Sequence, residues 1–521
     1  TMQIRMVMVG VMLVLLKNFV QRFLMKKRQQ KRGKDMSDLA FKSATDLAKG
    51  IQEKKFSSLE LTELYIDRIE QHDGEINAVV VRIFHRALDD ARNADAALAQ
   101  GKNLGPLHGV PMTIKESYVI ADTPTTWGLE DFRNNKPTKD GLAVQRFKSA
   151  GAHFLGKTNV PVSLADFQSY NPIYGTTGNP WDPTRTPGGS SGGSAAALAA
   201  GFSALEAGSD IGSSIRNPAH FCGVYGHKPT WGIIPMQGHE LAENTPEPDL
   251  AVCGPLARSA EDLATALDIM AGPVEREAVG WTLNLPPSDI TSLKDVRVAL
   301  WPNDDLAPVS EETQSRVAMV GEAVERLGGI VSDKARPNFD FKRAHIAYQS
   351  LLTSVMSAGM ADDEFARARD FADSLDPNDM SRAAVEYRAR VLPHGHWLRH
   401  NVVRERLRHA WVEFFQDWDI LVCPQMAVPA FPHDHRPFGE RTVDVDGNEQ
   451  DYFTQLFWAG LITNPYLPST VFPTGPSRDG LPIGLQAASA PYRDHRTIAF
   501  AQLVGEEIGG FVAPPSLAAS A

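Results

Sequence analysis

The amino-acid sequence predicts one large α/β domain, with a mixed, mostly parallel central sheet covered by helices on both faces. Three short, uninterrupted apolar runs, at 296–301, 420–424 and 483–488, are typical of strands that are buried on both faces. Helical patterns separate these runs, and strands that alternate with helices indicate an α/β architecture. These helices are predicted at 259–272, 311–327, 341–360, 380–391, 397–417 and 493–508.

The first half of the chain contributes further elements of both kinds. One predicted helix is preceded by Ser57-x-x-Glu60, the pattern of a capping box. The β-branched run VPMTIKESYVI, at 110–120, is predicted as a strand, and so is HFLG, which follows a short helix. A long loop rich in Asn, Pro and Gly is expected at 170–193. The helices of this half are predicted at 43–54, 59–71, 86–100, 144–150 and 194–200.

The composition fits a folded domain of this size. Of the 521 residues 43% are apolar, enough to bury a large core, and neither a repeat of fixed period nor a clear linker divides the chain. The cysteines, Cys222, Cys253 and Cys423, are far apart and form no CxxC pair. They indicate neither a disulfide framework nor a zinc finger, so we expect a reducing, cytoplasmic location.

The charge divides the chain into a basic segment, 1–35, and an acidic body, 36–521. The segment holds nine Lys or Arg and one acid and carries +8; because the whole chain carries −11, the body carries −19. Such a body is a poor candidate for binding nucleic acid. We expect residues 1–35 to be an extension outside the fold and 36–521 to be the folded domain. A membrane-surface anchor or a short signal anchor, built on the apolar run at 6–16, is the alternative for the extension.

The most unusual local sequence is TPGGSSGGSAAALAAG, at 186–201. A flexible linker is one interpretation, although linkers rarely continue directly into an Ala-rich helix. A Walker-type phosphate loop is excluded, because the chain contains no G-x-x-x-x-G-K-[ST]. The block also satisfies the G-x-S-x-G pattern of a nucleophile elbow, but the residues NPWDPTRTP before it make a poor strand.

A second cluster of small residues, SDIGSSIRNPA, lies at 209–219. Backbone amides flanked by small side chains can approach a ligand oxygen closely, and consecutive amides can form a nest that binds an anion. An ordinary turn is the alternative interpretation.

Lys115 is out of place in the apolar strand predicted at 110–120, because an unpaired buried ammonium is costly. Glu116 cannot pair with it, since neighbouring side chains on a strand point to opposite faces. Lys115 either faces solvent or is buried and neutral. Lowering its pKa from about 10.4 to near 7 costs about 4–5 kcal/mol. A neutral lysine is a base, and that is the use that justifies the cost.

Taken together, these residues resemble the amidase signature family of serine hydrolases. The similarity extends over roughly residues 38–510, and the Gly/Ser block at 186–201 is its most specific part. It implies the fold of that family and hydrolysis of carbon–nitrogen bonds in amides other than peptides. The other similar segments are GPLHGVPMTIKE, AGAHFLGKTNVP, GSDIGSSIRNPAHFCGVYGHKPTWGIIP, GPLARSAEDLA, WDILVCP and GLPIGLQ…RDHRTIAFA.

The resemblance implies a triad in which Ser214 is the nucleophile, Ser190 the relay and Lys115 the base. It also implies a cis peptide bond between Gly189 and Ser190, and a reaction that needs neither a metal nor an organic cofactor. The lysine is followed by Glu116, where the family more often has Asp, and we expect this difference to have little effect on the reaction.

The family's oxyanion hole corresponds to the backbone N–H groups of Ile211, Gly212, Ser213 and Ser214. Arg216 matches an arginine of the family, to which we assign a structural role. Ser213 stands where the family has a glycine. If that position requires a positive φ, the serine is strained and the geometry of the oxyanion hole is affected.

We therefore expect an amidohydrolase that forms an acyl-enzyme on Ser214 and cleaves aryl or other apolar amides. Esters and carbamates, urethanes included, place a carbonyl in the same way and are further expected substrates. The alternative within the family is a glutamine-amidotransferase-type subunit that acts with partner proteins. A scaffold on a decayed amidase fold is disfavoured, because all three triad residues are present. The expected partner is a small-molecule amide, without nucleic acid, and a homodimer is compatible with the sequence.

Two further sets of side chains bear on substrate and metal. Aromatic residues in the variable segments favour a largely apolar substrate, although aromatics there are as often core as pocket. His396 and His400 have the i, i+4 spacing of helical metal ligands, and His433 and His435 follow, but HExxH is absent. We expect these histidines on a polar helix face and on a loop near the pocket rim. The aromatic residues are Trp127, Phe167, Tyr170, Tyr348, Tyr387, Trp397, Phe431, Phe457 and Trp458.

Overall fold

A computed structural model describes residues 37–243 and 245–518 of the chain, which form a single α/β domain built on a large mixed sheet. The predicted extension at 1–35 lies outside the described residues. Within the described ranges, no helix is both long enough and apolar enough to cross a bilayer.

The secondary structure follows the predicted alternation of strands and helices. The strands are β1 (Val79–Arg82), β2 (Pro111–Lys115), β3 (His153–Thr158), β4 (Tyr170–Asn171), β5 (Gly175–Thr176), β6 (Glu206–Asp210), β7 (Tyr225–Lys228), β8 (Val252–Ala257), β9 (Arg297–Leu300), β10 (Ile330–Ser332), β11 (Ile420–Pro424), β12 (Thr442–Val445), β13 (Asn448–Asp451), β14 (Ser469–Pro476) and β15 (Pro482–Ala488). The α-helices are α1 (Ala44–Gln52), α2 (Ser58–Ile76), α3 (Phe84–Ala99), α4 (Leu142–Ser149), α5 (Gly192–Ala199), α6 (Arg216–Cys222), α7 (Ala260–Met270), α8 (Glu275–Ala278), α9 (Glu311–Arg326), α10 (Phe341–Met356), α11 (Asp362–Ser374), α12 (Arg382–Arg390), α13 (His394–Asp417), α14 (Leu456–Thr463), α15 (Asp494–Ile508) and α16 (Pro515–Ala518).

Most predicted elements are confirmed within a few residues. The capping box before α2 is present: Ser57 Oγ accepts from the Glu60 N–H at 3.0 Å, and the Ser57 N–H donates to Glu60 Oε2 at 3.0 Å. The strand expected at 110–120 is shorter, because the chain leaves β2 directly after Lys115. Helix α11 was not predicted, since its charged sequence DDEFARARDFADS has few apolar positions.

The central sheet has eight strands in the order β10-β9-β11-β15-β14-β7-β8-β6. It is mixed, as predicted, but β9 forms parallel pairs with β10 and β11 and all the other pairs are antiparallel. The expectation of a mostly parallel sheet is therefore wrong. The three apolar runs that suggested it are β9, β11 and β15, but β15 pairs antiparallel with both of its neighbours, β11 and β14. An uninterrupted apolar run therefore marks burial on both faces rather than parallel pairing.

A second, three-stranded sheet, in the order β1-β3-β2, lies against edge strand β6 of the large sheet. The junction is polar and buried: the Thr113 N–H donates to Ser203 Oγ at 2.8 Å, and Thr113 Oγ1 donates to Glu206 Oε1 at 2.5 Å. Thr113 and Lys115 are two residues apart on β2, so their side chains point to the same face. The junction therefore brings Lys115 to the edge of the large sheet.

Candidate active site

Lys115 is the last residue of β2 and is completely buried. Its Nζ donates to Ser190 Oγ at 2.7 Å and to Ser209 Oγ at 2.9 Å. Burial lowers the pKa of the amine to about 7, although nearby Cys253, Asp210 and Glu206 oppose the shift. Of the two alternatives for this lysine, the structure selects the buried one.

The Gly/Ser block is part of the buried core, and the linker interpretation is wrong. Every residue of α5 is buried, which explains its run of alanines and glycines. The peptide bond between Gly189 and Ser190 is cis, which confirms the expectation. A Cβ atom at Gly189 would collide with the Asp166 carbonyl oxygen, so this position requires glycine.

Ser214 lies in the turn between β6 and α6 and is 7% exposed. The Ser191 N–H donates to the Ser214 carbonyl oxygen at 3.0 Å, which fixes this turn beside the Gly/Ser block. Among the described residues, no hydrogen bond joins the side chains of Ser190 and Ser214. The structure thus brings Lys115 and Ser190 into contact and places Ser214 on the adjoining turn.

Asp210, at the end of β6, organises the turn that carries Ser214. Its carboxylate accepts hydrogen bonds from the N–H groups of Ser213, Ile215 and Arg216 at 3.0, 3.0 and 3.3 Å. The fully buried Arg216 guanidinium donates to the same carboxylate at 2.9 and 3.1 Å, and to Thr463 Oγ1 at 2.7 Å. Burial opposes ionisation of Asp210, but Arg216 outweighs it and holds the pKa below its ordinary value. Arg216 therefore has a structural contact with the turn, through the Asp210 carboxylate.

The N–H groups expected to form the oxyanion hole differ in their availability. The Ser213 N–H is already bonded to Asp210, so it is not free for a ligand. The N–H groups of Ile211, Gly212 and Ser214 make no hydrogen bond to any other described residue. Ser213 has φ 95°, in the region that favours glycine, and its Oγ accepts from Nε2 of Gln425.

Glu116 orders the loop that follows β2. Its carboxylate accepts from the Thr126 N–H at 2.7 Å, from the Trp127 N–H at 3.0 Å and from the Tyr174 hydroxyl at 3.2 Å. Burial raises its pKa, against the opposing effect of buried Lys157. As expected from the alternation of side chains on a strand, Glu116 does not pair with Lys115.

The same loop contacts a buried histidine, His239, that no sequence motif marks. His239 Nε2 is 2.8 Å from Ser117 Oγ, and its ring centroid lies 5.4 Å from that of Trp127. Burial, assisted by the charge of Lys115, lowers the pKa of His239 to about 3, so its ring is neutral at physiological pH.

An apolar cluster borders the turn between β6 and α6 at Ile211. The Tyr348 hydroxyl donates to the Ile211 carbonyl oxygen at 2.9 Å. The partly buried side chains of Ile211 and Trp397 pack on this cluster. Its buried members are Leu250, Tyr348, Leu351 and Leu352, and the other partly buried ones are Leu456 and Tyr466. By contrast, the predicted pocket residues Phe167, Phe457 and Trp458 are buried in a separate core cluster.

The histidines considered as metal ligands are on other elements than the turn that carries Ser214. His396 and His400 are on α13, and His433 and His435 are on the loop before β12. Within residues 37–243 and 245–518, no group of three His, Cys, Asp or Glu side chains is arranged to hold a metal ion.

The sequence was compared with models of protein families. The model of the family described as Amidase matches residues 60–498, which is most of the chain. The chain belongs to the amidase signature family. The predicted family fold is thereby confirmed, and the protein is an enzyme that hydrolyses carbon–nitrogen bonds in amides other than peptide bonds.

Relatives of this amidase include both hydrolases and an amidotransferase component. An acylamidase of Rhodococcus erythropolis is 32% identical, over 88% of this chain and 93% of the relative. A glutamyl-tRNA(Gln) amidotransferase subunit of Thermosynechococcus vestitus is 31% identical, over 85% of this chain and 92% of the relative. The crystal structure of a bacterial aryl acylamidase of the amidase signature family is similar in fold, with a TM-score of 0.76, 24% identity, and coverage of 92% of this chain and 98% of that chain.

Proposed function

We propose that this protein hydrolyses small-molecule amides with an apolar acyl group, through an acyl-enzyme on Ser214. The observation that carries the proposal is the 2.7 Å hydrogen bond between the completely buried Lys115 amine and Ser190 Oγ. A lysine whose pKa is about 7 is largely neutral at physiological pH and can accept a proton, which a solvated lysine cannot do.

The first half of the reaction forms the acyl-enzyme. Lys115 takes the proton of the Ser190 hydroxyl while Ser190 takes that of Ser214, and Ser214 Oγ adds to the substrate carbonyl carbon. This step needs a hydrogen bond between the two serine hydroxyls, so the proposal requires Ser214 Oγ to come within reach of Ser190 Oγ before it attacks the substrate. The proton returns through Ser190 to the leaving nitrogen, the C–N bond breaks, and the amine departs.

In the second half, water gives a proton to the same relay and adds to the ester carbonyl carbon. The bond between that carbon and Ser214 Oγ then breaks, the relay returns the proton to Ser214 Oγ, and the carboxylic acid departs. Both tetrahedral intermediates carry an oxyanion, which the free N–H groups of Ile211, Gly212 and Ser214 stabilise. The loss of one such donor typically costs about 2.7–4 kcal/mol. All atoms and protons are accounted for by Lys115, the two serines and one water.

The apolar character of the substrate is inferred from the wall beside the nucleophile. Ile211 contributes both a free N–H group and a side chain of the apolar cluster around Tyr348 and Trp397. A carbonyl whose oxygen binds to the Ile211 N–H therefore has its substituent near apolar side chains. Aromatic or aliphatic acyl groups fit such a surface, and esters and carbamates of the same shape present an equivalent carbonyl.

The test is a substrate panel on the purified protein: p-nitroanilides of acetic, hexanoic and benzoic acid, with matching esters and an aryl carbamate. We expect hydrolysis that prefers the larger apolar acyl groups and that a chelator does not change. Ser214→Ala should lower kcat/KM by about 10⁴-fold or more at an unchanged thermal midpoint. The surface variant Ser315→Ala serves as control. Substantial turnover by Ser214→Ala would overturn the assignment.

A second function, that of a glutamine-amidotransferase-type subunit, is supported by the amidotransferase relative, which is similar over nearly its whole length. The chemistry would be the same, but the ammonia released from glutamine would pass to a partner protein. One observation distinguishes the two functions. The free-standing hydrolase cleaves a simple anilide when purified alone, whereas the amidotransferase component requires its partners.

A further inference from the structure

We propose that Gln425 is a positioning residue for the turn between β6 and α6, which carries Ser214, and that it acts through the Ser213 hydroxyl. The inference rests on the proposed role of Ser214 and adds to it a side chain more than two hundred positions away in sequence. Gln425 directly follows β11, and Ser213 directly precedes Ser214.

The contacts of Gln425 point to Ser213. The side chain is completely buried, and its Nε2 donates to Ser213 Oγ. At the other end of the carboxamide, Oε1 has no hydrogen-bond partner in the described part of the chain. Burying a half-paired amide is unfavourable, and leucine of similar size would avoid the penalty. The bond to Ser213 is the polar interaction for which glutamine, rather than an apolar residue, is needed here.

Ser213 is a residue that needs to be held. Its φ of 95° is disfavoured for any side chain with a Cβ atom, whereas glycine adopts it readily. Each of its polar groups is bonded: the N–H donates to Asp210 Oδ1 at 3.0 Å, the carbonyl oxygen accepts from the Asn217 N–H at 2.7 Å, and Oγ accepts from Gln425. Without the last bond, the backbone can relax toward negative φ and move the next residue, Ser214.

A neighbouring strand holds the same turn in a similar way. Gln486, on β15, accepts from Arg216 Nη1 at 3.1 Å and donates to the Pro424 carbonyl oxygen at 2.9 Å. Gln425 directly follows β11, and Gln486 lies on the neighbouring strand β15. Their side chains contact Ser213 and Arg216, which lie on either side of Ser214 in the sequence. The turn is thus fixed from the large sheet, and Gln425 compensates for a serine at a position that suits glycine.

A double-mutant cycle tests the proposal, using the parent, Ser213→Gly, Gln425→Leu and the double variant with a p-nitroanilide substrate. In the parent, Gln425→Leu should lower kcat by about tenfold with KM nearly unchanged, because the turn is misplaced while the apolar wall is intact. In the Ser213→Gly background the same change should lower kcat by less than about twofold, since glycine keeps the turn without help. Gln425→Met, close in shape to glutamine, is measured in parallel in case the leucine variant does not fold.

The thermal midpoints give a second readout. Ser213→Gly relieves the disfavoured φ but leaves the Gln425 amide without any partner, so adding Gln425→Leu should raise the midpoint above that of Ser213→Gly alone. Ser163→Gly is the matched control, because Ser163 also has a positive φ, 54°, outside this turn, and should leave kcat unchanged. If Gln425→Leu lowers kcat equally in both backgrounds while Ser214→Ala is inactive, the role of Gln425 is overturned and the proposed function stands. An active Ser214→Ala would overturn the proposed function and this inference together.

Discussion

Lys115 and Ser209 meet across the junction of the two sheets, with Nζ 2.9 Å from Oγ. Lys115 ends β2 of the three-stranded sheet, and Ser209 is on β6, the edge strand of the large one. The amine therefore has two hydroxyl neighbours: Ser190, in the Gly/Ser block whose Ser191 N–H bonds to Ser214, and Ser209, on the strand that leads into the Ser214 turn. The two contacts should differ in their effect on catalysis.

Replacing the two hydroxyls separately measures that difference. Ser190→Ala removes the proton relay and should lower kcat/KM for an anilide by about 10³-fold. Ser209→Ala leaves the relay intact and removes one acceptor of the lysine, so we expect a loss of about tenfold or less. Steady-state kinetics, measured at a pH where the rate of the parent has levelled off, makes the comparison. Equal losses would show that Ser190 has no special place in the proton path.

The pH dependence of the parent enzyme should report the titration of Lys115. Burial lowers the pKa of this amine to about 7, and only the neutral form can accept a proton. We therefore expect kcat/KM to rise about tenfold per pH unit on the acid side of pH 7 and to level off above it. Lys115→Ala should be crippled at neutral pH and recover in part at higher pH. A Lys115→Ala variant as active as the parent would exclude a role as the base.

The same lysine should lower the stability of the fold in a pH-dependent way. Its pKa is about 7 in the folded protein and near its ordinary 10.5 when unfolded, so between these values the unfolded chain binds the extra proton and stability rises with pH. The shift corresponds to about 5 kcal/mol, and two lost hydrogen bonds offset about 2 of these. Lys115→Met should therefore raise the free energy of unfolding by about 3 kcal/mol at pH 7, and this gain should shrink by pH 9.5. Urea unfolding at both pH values measures it; a destabilised Lys115→Met would contradict the cost assigned to the lysine.

The buried pair Asp210–Arg216 should contribute strongly to stability, because both side chains are inaccessible to solvent. Asp210→Asn leaves the Arg216 guanidinium buried without a compensating charge and should cost about 3–5 kcal/mol in urea unfolding. The exposed pair Arg367–Asp363 provides the control, and Asp363→Asn should change stability by less than about 0.5 kcal/mol. Similar effects of the two substitutions would mean that Arg216 is solvated or otherwise paired.

Substrate preference should depend on the apolar cluster at Ile211. Trp397→Ala shortens a side chain at the edge of that cluster, so kcat/KM for a benzoic or hexanoic anilide should fall about tenfold or more while that for an acetic anilide changes little. Trp281→Ala, at an exposed tryptophan outside the core clusters, is the control. An equal loss of kcat/KM for all the anilides would show that Trp397 supports the fold and does not contact the acyl group of the substrate.

The features that local sequence predicted are those that a few neighbouring residues determine. A lysine in an apolar strand left two alternatives, a solvated amine or a buried neutral one, and the structure has the buried one. The family resemblance implied a glycine position at Ser213, and the φ of this serine is indeed positive. Apolar runs located β9, β11 and β15, because these strands are buried on both faces.

The remainder depends on packing between distant segments. Strands β6, β7 and β14 contain Gly, Pro or charged residues and become recognisable only beside their partners. The contacts of Ser209 with Lys115 and of Gln425 with Ser213 leave no mark in the neighbouring sequence. They follow from which strands lie next to one another, and that order is not encoded in any single motif.

Because β2 and β6 meet at Lys115, hydrolysis should also depend on how the two sheets pack against each other. Lys115, the proposed base, is on β2 of the three-stranded sheet, whereas Ser209 is on β6 of the large sheet and Ser190 lies just before α5. If the two sheets separate, Lys115 moves away from Ser209 and from the strand that leads to Ser214, while the hydrogen bonds between strands inside each sheet persist. We therefore expect turnover to be lost at a lower denaturant concentration than the circular dichroism signal of the helices and strands.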